Sequence, residues 1–372
     1  MRRWLGIALA VVLVVGVAVV AVLGRNRGND DRGTTAGGCR STTTVRGVVG
    51  SEKSAFFADQ RVKDAFATHC LDVQVDPAGS REIATTVNLD QYAFAFPSSA
   101  PAGEKIQRLR KAGRVYTPFT SPMAIATFTP IVEVLTRAGV VHKSGSYTVL
   151  DMEKYLDLVA KNTRWNALPG NTAYAARKSV LISTTDPRSS NSAAMYTSIA
   201  SYVLNGNDVV QNAAQERNVV PTMAKLFLNQ GYTDSSSEGP FEDYLATGMS
   251  KTPMVMVYEA QYVDRLNRKD GSIRPDMTLI YPSPTVLSKH TLVPLRPTGN
   301  QVGQLLTSDP TLTGLAATFG FRTATPKAFD TVLTKAGPPA APVARDLVDV
   351  VDPPTYETLE RLLTAIAGAY DR

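Results

Sequence analysis

The sequence predicts an α/β protein of two lobes, with mainly parallel sheets and helices on both faces, preceded by one N-terminal transmembrane helix. Three observations carry this reading. Apolar strands run repeatedly into short hydroxyl-rich turns: Val45–Val49 into Gly50-Ser51-Glu52-Lys53-Ser54, Leu71–Val75 into Asp76–Arg81, Tyr92–Phe96 into Pro97-Ser98-Ser99, and Val180–Ser183 into Thr184–Ser192. Segments of helical period separate these strands, the alternation expected of a parallel sheet. Two extended, Pro-punctuated passages, near 118–128 and 282–294, would cross between lobes and make the middle of the chain an insertion.

From the N-terminus, Trp4 to Gly24 holds no charged residue and consists almost wholly of Ala, Val, Leu, Ile and Gly. A bilayer-spanning helix needs about 20 such residues. Arg2 and Arg3 precede the stretch, which places the N-terminus in the cytoplasm and the rest of the chain outside. The alternative is a cleaved signal peptide and a secreted protein. Its apolar core would be about 7–15 residues, and Val22-Leu23-Gly24 is a poor cleavage site. Cys39 follows Ala36-Gly37-Gly38 but lies beyond charged residues, so no lipoprotein signal is read there. Residues 25–40 read as a solvated juxtamembrane linker.

The net charge of +6 is concentrated at this end, where residues 1–32 hold five Arg and two Asp, leaving +3 for the remainder. Such a domain offers no argument for nucleic acid. Cys39 and Cys70 each precede a predicted strand, Ser41–Val49 and Leu71–Val75. If those strands are parallel neighbours their starts lie side by side, and a Cys39–Cys70 disulfide is reasonable in an extracytoplasmic compartment. The alternative is two buried free thiols.

Ser51 reads as an N-cap for a helix carrying Phe56, Phe57, Val62, Ala65 and Phe66. A short helix follows Ser80, and a basic amphipathic helix around Glu104–Lys111 stops at Gly113. Residues 115–128 read as two extended stretches, broken at Pro118 and Ser121-Pro122. Helices are expected at Pro130–Ala138, Leu150–Lys161 and Ser190–Leu204, with another over Val209–Leu228 interrupted near Pro221. Ser179–Ser183 and Met254–Tyr258 read as strands, and Tyr356–Tyr370 as a terminal amphipathic helix. The expected organisation is residues 41–122 as the first part of lobe 1, 123–283 as an inserted lobe 2, and 284–372 as the return to lobe 1 with C-terminal helices.

The ordered motifs Gly50-Ser51-Glu52, Gly79-Ser80-Arg81 and Ala95–Ser99 resemble bacterial extracellular solute-binding proteins of the type 2 periplasmic-binding-protein fold, nearest an actinobacterial branch close to molybdate-binding proteins. Thr185–Ser192 is similar to the segment opening that family's second lobe. Val257-Tyr258-Glu259 and Tyr281-Pro282 resemble its strand end and return crossing. The resemblance spans about residues 41–300. It implies a substrate-binding component that closes on a small ligand and serves a membrane permease, transport or sensing.

Carboxyl ends of parallel strands line one crevice, and helix starts there offer unpaired N–H groups to an anion. The candidate ligand-binding residues are therefore Ser51, Ser54, Ser80, Arg81, Ser98, Ser99, Arg188, Ser190, Asn191 and Ser192. Lys53, Arg81 and Arg188 on that side favour an anionic ligand or oxyanion. Tyr258 and Tyr281 read as core or hinge packing, and Glu259 as a partner for one of the arginines. His69, His142 and His290 are scattered, and no zinc-helix, nucleophile-elbow or phosphate-loop motif occurs. No enzyme, cofactor or metal is expected. The contrasting reading is an interaction module of the cell envelope, the same fold with a degenerate cleft.

Overall fold

A computed structural model describes residues 39, 41–228, 230, 234–340, 342–347 and 349–370. The expected anchor at 4–24 lies outside these residues. Among the described ones no helix is long and apolar enough to cross a membrane. The strands are β1 Thr43–Gly50, β2 Leu71–Ala78, β3 Phe94–Phe96, β4 Tyr116–Phe128, β5 Val141–Ser144, β6 Tyr147–Asp151, β7 Met254–Tyr258, β8 Met277–Ser283, β9 Thr285–Pro294 and β10 Val350–Val351. They run in the order β2-β1-β3-β9-β4-β8-β6-β5, with β7 beside β4 and β10 beside β9.

In the first region β1 lies between β2 and β3, parallel to both. Side chains alternate across a strand, and β1 shows the result. Val45 and Val49 pack with Phe56, Phe66 and, from the helices Pro297–Ser308 and Pro310–Thr318, Val302 and Leu312. Val48 points the other way, to Ile83 of helix Ser80–Thr85 and to Ala102 and Ile106 of helix Ala100–Arg110. Helices thus cover both faces, and each fully buried Phe or Val adds about 1.5–3 kcal/mol. The disulfide joins Cys39 to Cys70 with Cα atoms 5.6 Å apart. It sits at the starts of β1 and β2, where Thr43 faces Leu71, away from the hydroxyl-rich turns.

β4 is one strand of 13 residues instead of two stretches. Its register against β9 shifts between Tyr116 and Phe119, so Pro118, which has no N–H, falls at an irregularity. The first half of β4 pairs antiparallel with β9, and its second half, from Met123, with β7 and β8. The long strands pass from one hydrophobic cluster to the other and must return. Five of the nine strand pairings among the described residues are therefore antiparallel. The sheet is mixed, which corrects the mainly parallel expectation.

Other differences have local causes. Ser179–Ser183 is not a strand. Only Ser183 pairs there with β7, through Met254 O and Met256 N, while Ile182 N donates to the Tyr155 hydroxyl. Helix Ala213–Leu228 continues through Pro221. An interior proline costs about 3 kcal/mol, and burial of Val219, Met223, Leu226 and Phe227 offsets it. The basic helix ends at Lys111, which adopts the left-handed conformation two residues before Gly113. Residues after about 325 do not return to the first cluster. Phe329, Leu333, Leu359, Leu362 and Ile366 join the core of the second region. Only Tyr356, at the start of helix Tyr356–Ala367, packs with the first.

Candidate ligand cleft

The turns that end β1 and β2 face the start of helix Asn191–Leu204 across a cavity of about 20 Å³, lined by Ser51, Glu52, Gly79, Ser80, Ser190–Ser192, Ser235–Ser237 and Tyr258. Ser51 and Ser80 come from the first region. The remaining serines come from the second. The regions touch at its edge, where the Ser51 and Ser236 hydroxyls are 2.9 Å apart and Arg81 donates to the carbonyl of Pro187.

On the second-region side, Thr185, Ser190 and Ser192 form a triangle of buried hydroxyls, 2.6–3.0 Å from one another. Ser190 stands at the N-cap of helix Asn191–Leu204, yet its side chain makes no capping bond. The first N–H groups of that helix therefore have no side-chain acceptor from their cap. Asn191 Nδ2 donates to the Tyr258 hydroxyl at 2.8 Å. Burial, and then the Glu52 charge, push the Tyr258 phenol well above its usual range, so it stays protonated. Gln261 Oε1 accepts from Tyr258 N and from the Ser237 hydroxyl, fixing the Ser235–Ser237 turn to the end of β7.

Beneath the first-region side lies a buried charge cluster. Lys53 is fully buried and Glu52 nearly so; the two form an ion pair. Lys53 Nζ also donates to Ser98 Oγ at 3.0 Å, and it lies 3.1 Å from His290 Nδ1 and 4.8 Å from the Phe96 ring. Burial would raise the Glu52 carboxyl, but the Lys53 ammonium, with His290, outweighs it and holds the group far below the usual carboxylate range. Burial and Lys53 push His290 down to about 4, so its imidazole is neutral at pH 7. Gly50 is required here, because a Cβ on it would lie 2.1 Å from Ser98 Oγ.

The structure sorts the candidate residues. Ser51, Ser80, Ser190, Asn191 and Ser192 line the cavity. Ser98 is buried behind it: its hydroxyl donates to Glu52, and its N–H donates to Ser80 Oγ. Ser99 is buried at the N-cap of helix Ala100–Arg110 without a capping bond and does not reach the cavity lining. Ser54 lines a separate 340 Å³ cavity with Asp264 and Arg265, and its hydroxyl has no partner.

Arg81 is held bidentate by Glu360 of the C-terminal helix. Arg188 pairs with Asp186 and lies over the Tyr370 ring. With Lys53 bound to Glu52, all three cations expected to face an anion stand against carboxylates. Glu259 is buried against Arg322, with Tyr281 donating to it, so its arginine belongs to the strand crossing and not to the cleft.

Sequence reading did not select Ser235–Ser237, His290 or Tyr258 for the site. The serine run carries the same signal as the others, small hydroxyls before a helix, without a predicted strand ahead of it. His290 lies in β9, distant in sequence from everything it touches.

No family model matches the chain, and no curated relative matches it. Solved structures of similar fold include iron-bound HitA from Pseudomonas aeruginosa, with a TM-score of 0.55 and 9% identity over 88% of this chain and 99% of that one. Apo ferric ion-binding protein A from Pasteurella haemolytica gives 0.54 and 10% over 88% and 98%. An ABC transporter solute-binding protein from Thermotoga lettingae, bound with α-D-tagatose, gives 0.53 and 11% over 88% and 94%. These likenesses establish the fold: a mixed-sheet α/β protein matching periplasmic solute-binding proteins.

Proposed function

We propose that this chain is an extracytoplasmic solute-binding protein whose regions close as two lobes on a small, oxygen-rich ligand of the oxyanion class, for delivery to a permease or for sensing. The observation that carries it is the convergence of hydroxyls from both regions on one cavity, beside a helix start that its own cap leaves open. Hydroxyls and helix N–H groups stabilise an anion without a counter-charge. Among the described residues Glu52 is the one carboxylate of the lining, and it is already paired with Lys53. As the two regions stand, the cavity has space for little more than one water-sized group, so the regions must part to admit an oxyanion before closing on it. Anchoring through residues 4–24, with the N-terminus cytoplasmic, belongs to the same proposal. The Cys39–Cys70 disulfide supports an oxidising compartment.

The contrasting reading, an envelope interaction module, is favoured by the cavity's size and by the contacts already made across it. Thermal melting of the full chain in neutral detergent with sulfate, phosphate, molybdate and amino acids separates the two. A ligand at 100 times its Kd adds about 2.7 kcal/mol to stability, and Ser192→Ala should reduce the shift. No shift with any solute would overturn the binding reading and leave the interaction module.

A further inference from the structure

Residues 162–190 contain no strand or helix beyond a single turn at Trp165–Ala167. Long irregular segments inside compact domains are uncommon and are usually functional. This one is built firmly. Trp165 N donates to Lys178 O and Val180 N to Thr163 O, closing the loop at its base. Asn171 Nδ2 bonds the carbonyls of Trp165 and Tyr174, whose rings meet edge to face at 5.4 Å. The Tyr174 hydroxyl donates to Ser250 O, joining the loop to the turn after helix Glu238–Thr247.

The loop and that turn line a half-open 470 Å³ pocket that shares no lining residue with the cleft, a volume within the range of ligand sites. Its rim carries Arg164, Arg177, Lys178 and Lys251, and among the described residues no acidic side chain lines it. Lys251 is held by Asp243. Among the described residues no carboxylate pairs with Arg164, Arg177 or Lys178. Like charges gathered on a rigid loop repel one another, and a bound anion removes that cost. Guanidinium forks match phosphate oxygens two at a time.

We propose that this loop pocket is a second binding site, for a phosphate-bearing polyanion. It is independent of the cleft, which has no space for such a ligand. Tripolyphosphate titrated calorimetrically into the full chain in neutral detergent supplies one arm of the test, and micelles doped with phosphatidylglycerol against phosphatidylcholine the other. Binding in either arm supports the site and names its source, soluble or lipid. Arg177→Ser combined with Lys178→Ser, both exposed, should weaken binding about tenfold or more. Lys327→Ser with Lys335→Ser on helix Pro326–Ala336 removes the same charge elsewhere and should change it less than about twofold. Failure of the wild-type protein to bind in both arms overturns the proposal. Equal weakening by the two double variants also overturns it, as a matter of net charge alone.

Discussion

Lys53, Arg81 and Arg188 surround the cleft, and each stands against a carboxylate. Arg164, Arg177 and Lys178 ring the loop pocket, and among the described residues no acidic side chain lines it. The contrast shows that cations near a crevice do not by themselves indicate an anion. In the cleft the charges are satisfied within the protein, where they hold turns and helices in place, and under the proposed function recognition would fall to hydroxyls and N–H groups. In the loop pocket no described carboxylate pairs with Arg164, Arg177 or Lys178, and the proposed polyanion would supply the missing charge.

The strongest way to break this comparison is at Lys53. Lys53→Met leaves the Glu52 carboxylate buried without its partner, a change that costs about 3–5 kcal/mol. Urea unfolding should show that loss, and Glu52→Gln in the same chain should restore most of it. A single-variant cost below about 1 kcal/mol would mean the pair is not a structural unit.

Next in size is an acid effect. His290 titrates near 4 in the folded protein and near 6.5 unfolded. Between those values the unfolded chain binds the extra proton, so stability is complete above pH 6.5 and falls as the pH drops toward 4, by about 3 kcal/mol. The Glu52 carboxyl, also lowered, adds loss in the same direction further down. Melting temperature against pH should show this slope, and His290→Gln should flatten its upper part.

Arg81→Ala tests whether a paired cation still shapes the cleft. It removes a bidentate bond to Glu360 and the bond to Pro187 O, both of which join the first region to elements packed on the second. The expected cost is about 1–2 kcal/mol, with a larger radius of gyration by small-angle scattering as the regions part. An unchanged radius would show that the contact does not hold them together. Ser54→Ala should be the mildest, within about 0.5 kcal/mol and with no change in a ligand-induced melting shift, because its hydroxyl is buried without a partner and the residue lines the other cavity.

Much of the candidate cleft's lining was legible because its signal is local. Small hydroxyl residues ahead of a helix read the same in Gly50-Ser51, Gly79-Ser80 and Ser190–Ser192, and all three turns reach the cavity. Ser98 carries the same pattern but faces Glu52, since one register position decides which side of the turn a hydroxyl takes. The parallel pairing of β1 with β2 and the disulfide at their starts followed from the same alternation. Helix Tyr356–Ala367 was legible as a helix, but not as one packed on the second region, because an apolar stripe does not state which partner covers it.

By itself the sequence determined what each segment is: which stretches extend, which coil, where hydroxyls and charges sit along the chain, and that two long passages cross the molecule. These follow from periodicity and from turn chemistry, which act over a few residues. Only the tertiary structure decided which groups neutralise one another. Glu52 and His290 are 238 positions apart in sequence and 3.3 Å apart in space, and Arg81 meets Glu360 across 279. Charge acts through distance and burial, and neither can be read along the chain.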